Sequence, residues 1–251
     1  MSKNYVLQVK DISKKYFSKN KLETLALKGL SLNVKKNEMV AVMGSSGSGK
    51  TTLINILTGL LQPDEGQILV EDQDILKMTK EQMALFRRKN VGIVFQNYNL
   101  IDSLTVDENI RVPLILDEQF EDQERKTREV AELLGILREL DKYPYEISGG
   151  QQQRTGICRA IINKPNVVFA DEPTGNLDSK STEQVMEYFV KACKEKATSL
   201  LMVTHDAKAA SYCDRVVFLQ DGQIVAEVNK SENRCSFYTT ILDVQKGWIE
   251  S

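Results

Sequence analysis

The sequence predicts an α/β domain: a largely parallel sheet covered by helices on both faces. Three observations carry this. Short apolar runs at 39–43, 166–170 and 199–204 read as buried strands. Helical segments lie between them, one starting at Lys50 and one over roughly 180–195. Finally, the stretch GSSGSGKTT, Gly44 to Thr52, sits where a strand passes into a helix.

In chain order, residues 5–10 and 27–34 read as strands joined by a polar, lysine-rich turn. Strand 39–43 enters the glycine-rich loop, and the helix from Lys50 stops near Gly59 with Pro63 beyond. A strand at 66–71, a helix at 79–88 and a strand at 91–96 follow, the last ending at Gln96. From about 97 to 163 strand-like runs disappear, which marks a mostly helical insert; the charged run 117–134 within it reads as a solvated face. After strand 199–204, residues 215–228 form a hairpin turning at Asp221-Gly222. In the tail, 229–251, Phe237, Tyr238, Ile241, Leu242 and Trp248 share one face of a short helix, which docks on its own domain or meets a partner.

Composition narrows the function. The chain has 251 residues, enough for one large domain or a domain carrying an inserted subdomain. A net charge of −2 gives no basic field to hold nucleic acid or anionic lipid. No apolar stretch approaches the roughly 18 residues of a membrane span, and the polar start MSKNYVLQVK has no apolar signal core, so any membrane part is expected from another chain. The four cysteines are scattered singly and only one histidine accompanies them, which reads as reduced packing thiols and not a zinc site.

The chemistry starts at the glycine-rich loop. Gly44, Gly47 and Gly49 let the backbone turn sharply and bring its N–H groups to a polyphosphate. Lys50 places a charge on the β- and γ-phosphates, the Thr51 hydroxyl suits Mg²⁺, and the helix points its positive end at the anion. At NVVFADEP an apolar strand delivers Asp171 and Glu172 to its carboxyl end, where parallel sheets place ligands. Asp171 there is expected to hold Mg²⁺ through water, and Glu172 to polarise a water for attack on the γ-phosphate. ISGGQQQR, at 147–154, reads either as a second anion site at a helix start or as an ordinary loop.

These motifs, with Gln96 and VTHD, occur in an order that resembles the ATP-binding cassette of ABC transporters over residues 5 to about 228. The resemblance implies a P-loop NTPase core of the RecA-like kind, with an N-terminal antiparallel β subdomain and an inserted α-helical subdomain at about 97–163, followed by a separate, helical tail at 229–251. It implies roles as well. Tyr16 stacks on adenine; Gly44, Ser45, Gly47, Ser48, Gly49, Lys50, Thr51 and Thr52 form the Walker A loop. Gln96 meets Mg²⁺ or the attacking water and senses the membrane part of the transporter. Asp171 and Glu172 match the Walker B aspartate and the catalytic glutamate, Asn176, Leu177 and Asp178 the D-loop, and His205 the switch histidine at the γ-phosphate. Ser148, Gly149, Gly150 and Gln151 match the signature that closes over ATP held by a second copy, so two chains sandwich two nucleotides head to tail. Two departures stand out: Ile147 replaces the usual leucine, and Gly175-Asn176 replace the commoner Ser-Ala.

PTGNLD and FQNYNLIDSLTVDENI are similar to the branch holding macrolide exporters, lipoprotein-releasing systems and cell-division cassettes. THDAKAASYCDRVVFLQDGQI and the aromatic-containing tail are more similar to bacitracin-type peptide-antibiotic resistance transporters. That similarity implies an ATPase on the cytoplasmic face of the cell membrane, held there by a permease with a large extracellular domain, often with a sensor histidine kinase alongside. Tyr98, Leu100, Ile101 and Leu104 then either line the groove for the permease or pack inside the helical insert. A soluble ABC ATPase acting on DNA or ribosomes is the competing class. It is opposed by the single Walker A loop, by the acidic balance, and by the 52 positions from Gln96 to Ser148, too few for a long coiled coil.

Overall fold

A computed structural model describes residues 4–17 and 23–249, the side chains of Trp248 and Ile249 excepted. The chain begins with β1 (Tyr5–Phe17) and β2 (Glu23–Lys35), paired antiparallel. Both run well past the expected 5–10 and 27–34. The ladder continues past those limits, with Lys15 opposite Leu25, Tyr16 opposite Thr24 and Phe17 opposite Glu23. Lys15, Tyr16 and Phe17 are exposed, and the ion pairs Lys15–Glu23 and Lys14–Asp64 tie the extension down. What is left of the expected lysine-rich turn lies at 18–22, outside the described residues.

Next come β3 (Met39–Met43), α1 (Lys50–Leu57), β4 (Glu65–Val70) and the short β5 (Gln73–Asp74). Strands β4 and β5 complete a four-stranded antiparallel sheet in the order β2-β1-β4-β5. Helix α2 (Lys80–Asn90) starts at a reciprocal cap between Thr79 and Gln82 and leads into β6 (Val91–Val94), which stops two residues short of Gln96.

The insert supplies α3 (Val106–Leu116), α4 (Gln123–Leu133) and α5 (Gly149–Ile161). On α4 the residues Thr127, Val130, Ala131 and Leu133 turn inward, and its charges face water. Exposed pairs such as Arg128–Glu124 add only a few tenths of a kcal/mol each (about 0.2–0.5). The rest of the chain gives β7 (Val167–Asp171), α6 (Ser179–Glu195), β8 (Ser199–Thr204), α7 (Ala207–Ala210), β9 (Arg215–Gln220), β10 (Gln223–Asn229) and α8 (Arg234–Ile249).

The second sheet has the order β10-β9-β3-β8-β7-β6 and is parallel except for the β9–β10 hairpin. Its central strands β3, β8 and β7 are buried almost throughout because both faces are covered, and alternate side chains enter two different cores. Val40, Val42, Phe169, Leu201 and Val203 pack against α1 and the antiparallel sheet. Met39, Ala41, Met43, Ala170 and Met202 pack against the helical side, with Ile157 of α5 and Phe189 of α6.

The tail docks on this same helical core. Phe237 and Ile241 are fully buried there and Leu242 is half-buried. The Arg234 guanidinium lies 4.3 Å from the Tyr212 ring centre, a cation–π contact. Tyr238 faces water, off the expected apolar face, and the side chain of Trp248 lies outside the described residues. Cys158, Cys193 and Cys213 are buried free thiols, burial pushing Cys193 up to about 12. Among the described residues no helix is long and apolar enough to cross a membrane.

Candidate active site

Between Met43 and Lys50 the chain makes a loop gripped from two sides. The Ser48 carbonyl accepts a hydrogen bond from the Gly222 N–H at 3.0 Å, and the Gly222 carbonyl accepts one from the Lys28 N–H at 3.0 Å. The turn of the β9–β10 hairpin thus ties the loop to β2. Close approach explains the glycines that matter most. Gly49 has φ +108°, and a Cβ there would come within 2.6 Å of the Ala26 carbonyl oxygen; at Gly44 it would come within 2.4 Å of the Leu219 oxygen. The Lys50 ammonium donates to the carbonyls of Gly44 and Ser45, both at 2.8 Å. Burial pulls its pKa below the usual lysine value, against the opposing pull of Glu172 and Asp171. Around it the first N–H groups of α1 have no partner within the helix, which makes this end a cradle for an anion.

The facing wall comes from adjacent strands. Asp171 ends β7 in register with Val203 of β8, so Glu172 and His205, one residue beyond each strand, meet. Glu172 takes φ +44°, an uncommon backbone for a non-glycine residue, and its N–H is fixed on the Val203 carbonyl at 2.9 Å. Both oxygens of its carboxylate lie 3.0 Å from His205 Nδ1, and one also accepts the His205 backbone N–H at 3.2 Å. Burial raises the pKa of Asp171, Glu172 adds to that, and Lys50 works against it.

Gly47, Gly49, Lys50, Thr51, Thr52, Gln96, Glu172 and His205 line one cleft of 630 Å³. Tyr16 stands near Thr52 with its hydroxyl 3.5 Å from the Thr52 Oγ1, and its ring is exposed. Gly44 and Ser45 lie behind, lining a second cavity of 230 Å³ with His205 and Gln245 of α8; Ser48 is buried.

Other expected residues lie apart from the cleft. Asp178 caps α6, accepting the backbone N–H groups of Lys180 and Ser181 and the Ser181 hydroxyl; these bonds hold its pKa below the usual carboxylate range. Ser148 and Gln151 cap α5 reciprocally, and Gln151 Nε2 donates to Glu139. None of Ser148, Gly149, Gly150 or Gln151 lines the cleft. Sequence reading missed Ala26 and Ser46, which do; Ser46 lay unremarked inside the loop motif, and nothing in the β2 sequence marks Ala26.

A strand–loop–helix phosphate cradle facing a carboxylate–histidine pair across a parallel sheet defines a nucleotide-hydrolysing cassette. Residues 27–175 match the ABC transporter family, and the chain belongs to it, as an ATP-binding subunit with ATPase activity. It is 47% identical over 240 residues to the ABC transporter ATP-binding protein YxdL of Bacillus subtilis, across 95% of this chain and 93% of that one. To the bacitracin export ATP-binding protein BceA of Halalkalibacterium halodurans it is 44% identical over 243 residues, 96% of this chain and 95% of the other. The fold matches the dimeric post-hydrolysis state of the ATP-binding cassette MJ0796 bound to ADP and Pi, with a TM-score of 0.80 and 33% identity over 90% of this chain and all of that one.

Proposed function

We propose that two copies of this chain assemble head to tail, that Ser148–Gln151 of each closes the nucleotide cleft of the other, and that the pair powers a membrane permease removing peptide antibiotics of the bacitracin type. One observation supports the assembly above all: the cleft has a phosphate cradle, a carboxylate and a histidine, yet its own SGGQ segment does not reach it. The antibiotic class is supported by likeness to a bacitracin export ATPase over nearly the whole chain.

In this reading Tyr16 stacks on adenine, and the loop from Gly44 to Thr52 holds the phosphates with Lys50 as countercharge. Glu172 takes the proton of the attacking water. His205, 3.0 Å from Glu172 at Nδ1, turns Nε2 to the γ-phosphate. Asp178 supports the cleft indirectly, through the start of α6. Among the described residues no cluster of three or more His, Cys, Asp or Glu suits a metal. Thr51, Gln96 and Asp171 offer a hydroxyl, an amide and a single carboxylate, which fits Mg²⁺, an ion bound through one or two carboxylates together with phosphate oxygens. The ion supplies neutralisation of the phosphate charge.

The permease holds the subunit on the inner face of the cell membrane. Tyr98, Leu100 and Leu104 are half-buried and Ile101 is 43% exposed, none of them in either core, which supports this segment as the permease's seat. Lys50→Ala in the host's own copy is expected to weaken ATP binding greatly and to lower the bacitracin concentration that stops growth. Unchanged bacitracin sensitivity, with macrolide or lipoprotein-sorting defects instead, would move the subunit to another branch.

A further inference from the structure

Gly175 and Asn176, the departure from the commoner Ser-Ala, sit in the turn between Glu172 and α6. The Gly175 N–H bonds the Glu172 carbonyl at 3.0 Å, and the Leu177 N–H bonds the Thr174 carbonyl at 3.1 Å. From this turn Asn176 grips the segment around Gln96 with one side chain. Its Nδ2 donates to the Gln96 backbone carbonyl at 3.1 Å and to Asn97 Oδ1 at 2.9 Å, and its Oδ1 accepts from Gln96 Nε2 at 3.3 Å.

These partners settle which way both amides point. A backbone carbonyl only accepts, so the NH₂ of Asn176 must face it. The carbonyl end of Asn176 then faces the Gln96 side chain, which must present its own NH₂. That leaves Oε1 as the Gln96 amide atom free for the cleft that this residue lines. Gly175 completes the seat: a Cβ there would lie 2.9 Å from Gln96 Nε2 and 3.3 Å from its Cδ, in the space the amide occupies.

We propose that Asn176, with Gly175 beneath the amide, is a positioning residue that fixes Gln96 with its oxygen turned toward the nucleotide-bound cation. This rests on the reading of Gln96 as a cation contact given above. A cation needs a lone pair and is repelled by an NH₂ group, so an amide free to flip spends part of its time in the wrong orientation. Asn176 removes that freedom, and by holding Asn97 as well it makes the Gln96 segment and the Glu172–Asp178 turn one hydrogen-bonded unit.

The test uses the full chain carrying Glu172→Gln, so that ATP is not turned over, with Mn²⁺ in place of Mg²⁺ and binding followed by electron paramagnetic resonance. Asn176→Ala is expected to weaken Mn²⁺ binding by about tenfold, the lower end of what losing a supporting partner costs a metal site, and Gln96→Ala, which removes the ligand itself, by at least as much. Gly175→Ala should act in the same direction. The double variant Gln96→Ala/Asn176→Ala should bind Mn²⁺ no more weakly than Gln96→Ala alone. Metal-free ATP affinity should stay at the parent's value, which a general loosening of the cleft would not allow. Parental Mn²⁺ affinity in Asn176→Ala, or an equal further loss when Gln96 is already absent, overturns the proposal while leaving the role of Gln96 standing. Parental affinity in Gln96→Ala removes that role and the proposal with it.

Discussion

The loop Gly44–Gly49 is held by other parts of the chain, whereas Ser148–Gln151 is held mainly by its own. The first is tied by backbone hydrogen bonds through Gly222 to β2 and has glycines where a Cβ would strike neighbouring carbonyls. Around it stand a lysine with a lowered pKa, an aspartate with a raised one and a glutamate in a left-handed backbone. The second is a helix start closed by its own serine and glutamine, with Ser148 exposed. A Cβ on Gly150 would meet nothing closer than Ser181 at 3.6 Å, and one on Gly149 would crowd only the end of a side chain, the Tyr98 hydroxyl at 2.8 Å. Under the proposed head-to-tail assembly the contrast would separate two jobs: the loop that receives phosphates is shaped by its surroundings, and the loop that closes over the partner's nucleotide need only be presented. Both share the glycine-rich look, so composition alone does not tell them apart.

The largest effect is expected on the strained side. Glu172→Gln keeps an oxygen for the His205 N–H groups but cannot take a proton from water. Phosphate release should fall by at least about a hundredfold, with ATP binding intact and a dimer appearing by light scattering once ATP is added. Hydrolysis near the parental rate would remove Glu172 as the base and leave the cleft without one.

Mixing two dead chains tests the division of labour directly. Lys50→Ala spoils the receiving loop and Ser148→Arg the presenting one, so each variant alone should be inactive. In a head-to-tail pair containing one of each, both lesions fall in the same site and the other site is intact. An equal mixture should therefore regain roughly a quarter of parental hydrolysis, since half the dimers are mixed and each has one working site. No recovery on mixing would mean that each cleft is completed by its own chain.

Much of this was legible in the sequence because the determinants are local. Apolar runs ending in Gly44, Asp171 and His205 announce a parallel sheet with its chemistry at one end, and the Ser-Gly-Gly at 148–150 sits just ahead of a helical run. What escaped was set by tertiary contact. Lys14 to Phe17 look like a turn, yet they pair across the ladder with Leu27, Leu25, Thr24 and Glu23, partners that nothing local announces. Gly222 reads as a hairpin glycine, but it also clamps the phosphate loop, 174 positions away at Ser48. Asn176 reads as a harmless variant of the D-loop until Gln96 is seen lying against it.

The smallest expected effects concern stability and have opposite signs at Ser148 and at Asp171, which faces the phosphate loop's Lys50. Ser148→Ala removes a cap from a relaxed helix start and should lower the melting temperature, corresponding to a loss of about 1 kcal/mol. Asp171→Asn should raise it at neutral pH. The pKa of Asp171 in the fold lies above its unfolded value because burial and Glu172 outweigh Lys50, so the protonated carboxyl is the form the fold prefers. Its stabilising protonation is fully present below the unfolded value of about 4 and is lost as pH rises through the folded one. Asparagine stays neutral throughout, so its advantage should be clear at pH 7 and vanish below about pH 4. A lower melting temperature for Asp171→Asn at pH 7 would mean that attraction to Lys50 prevails over burial, and the cradle would then be stabilised by its charges and not held open against them.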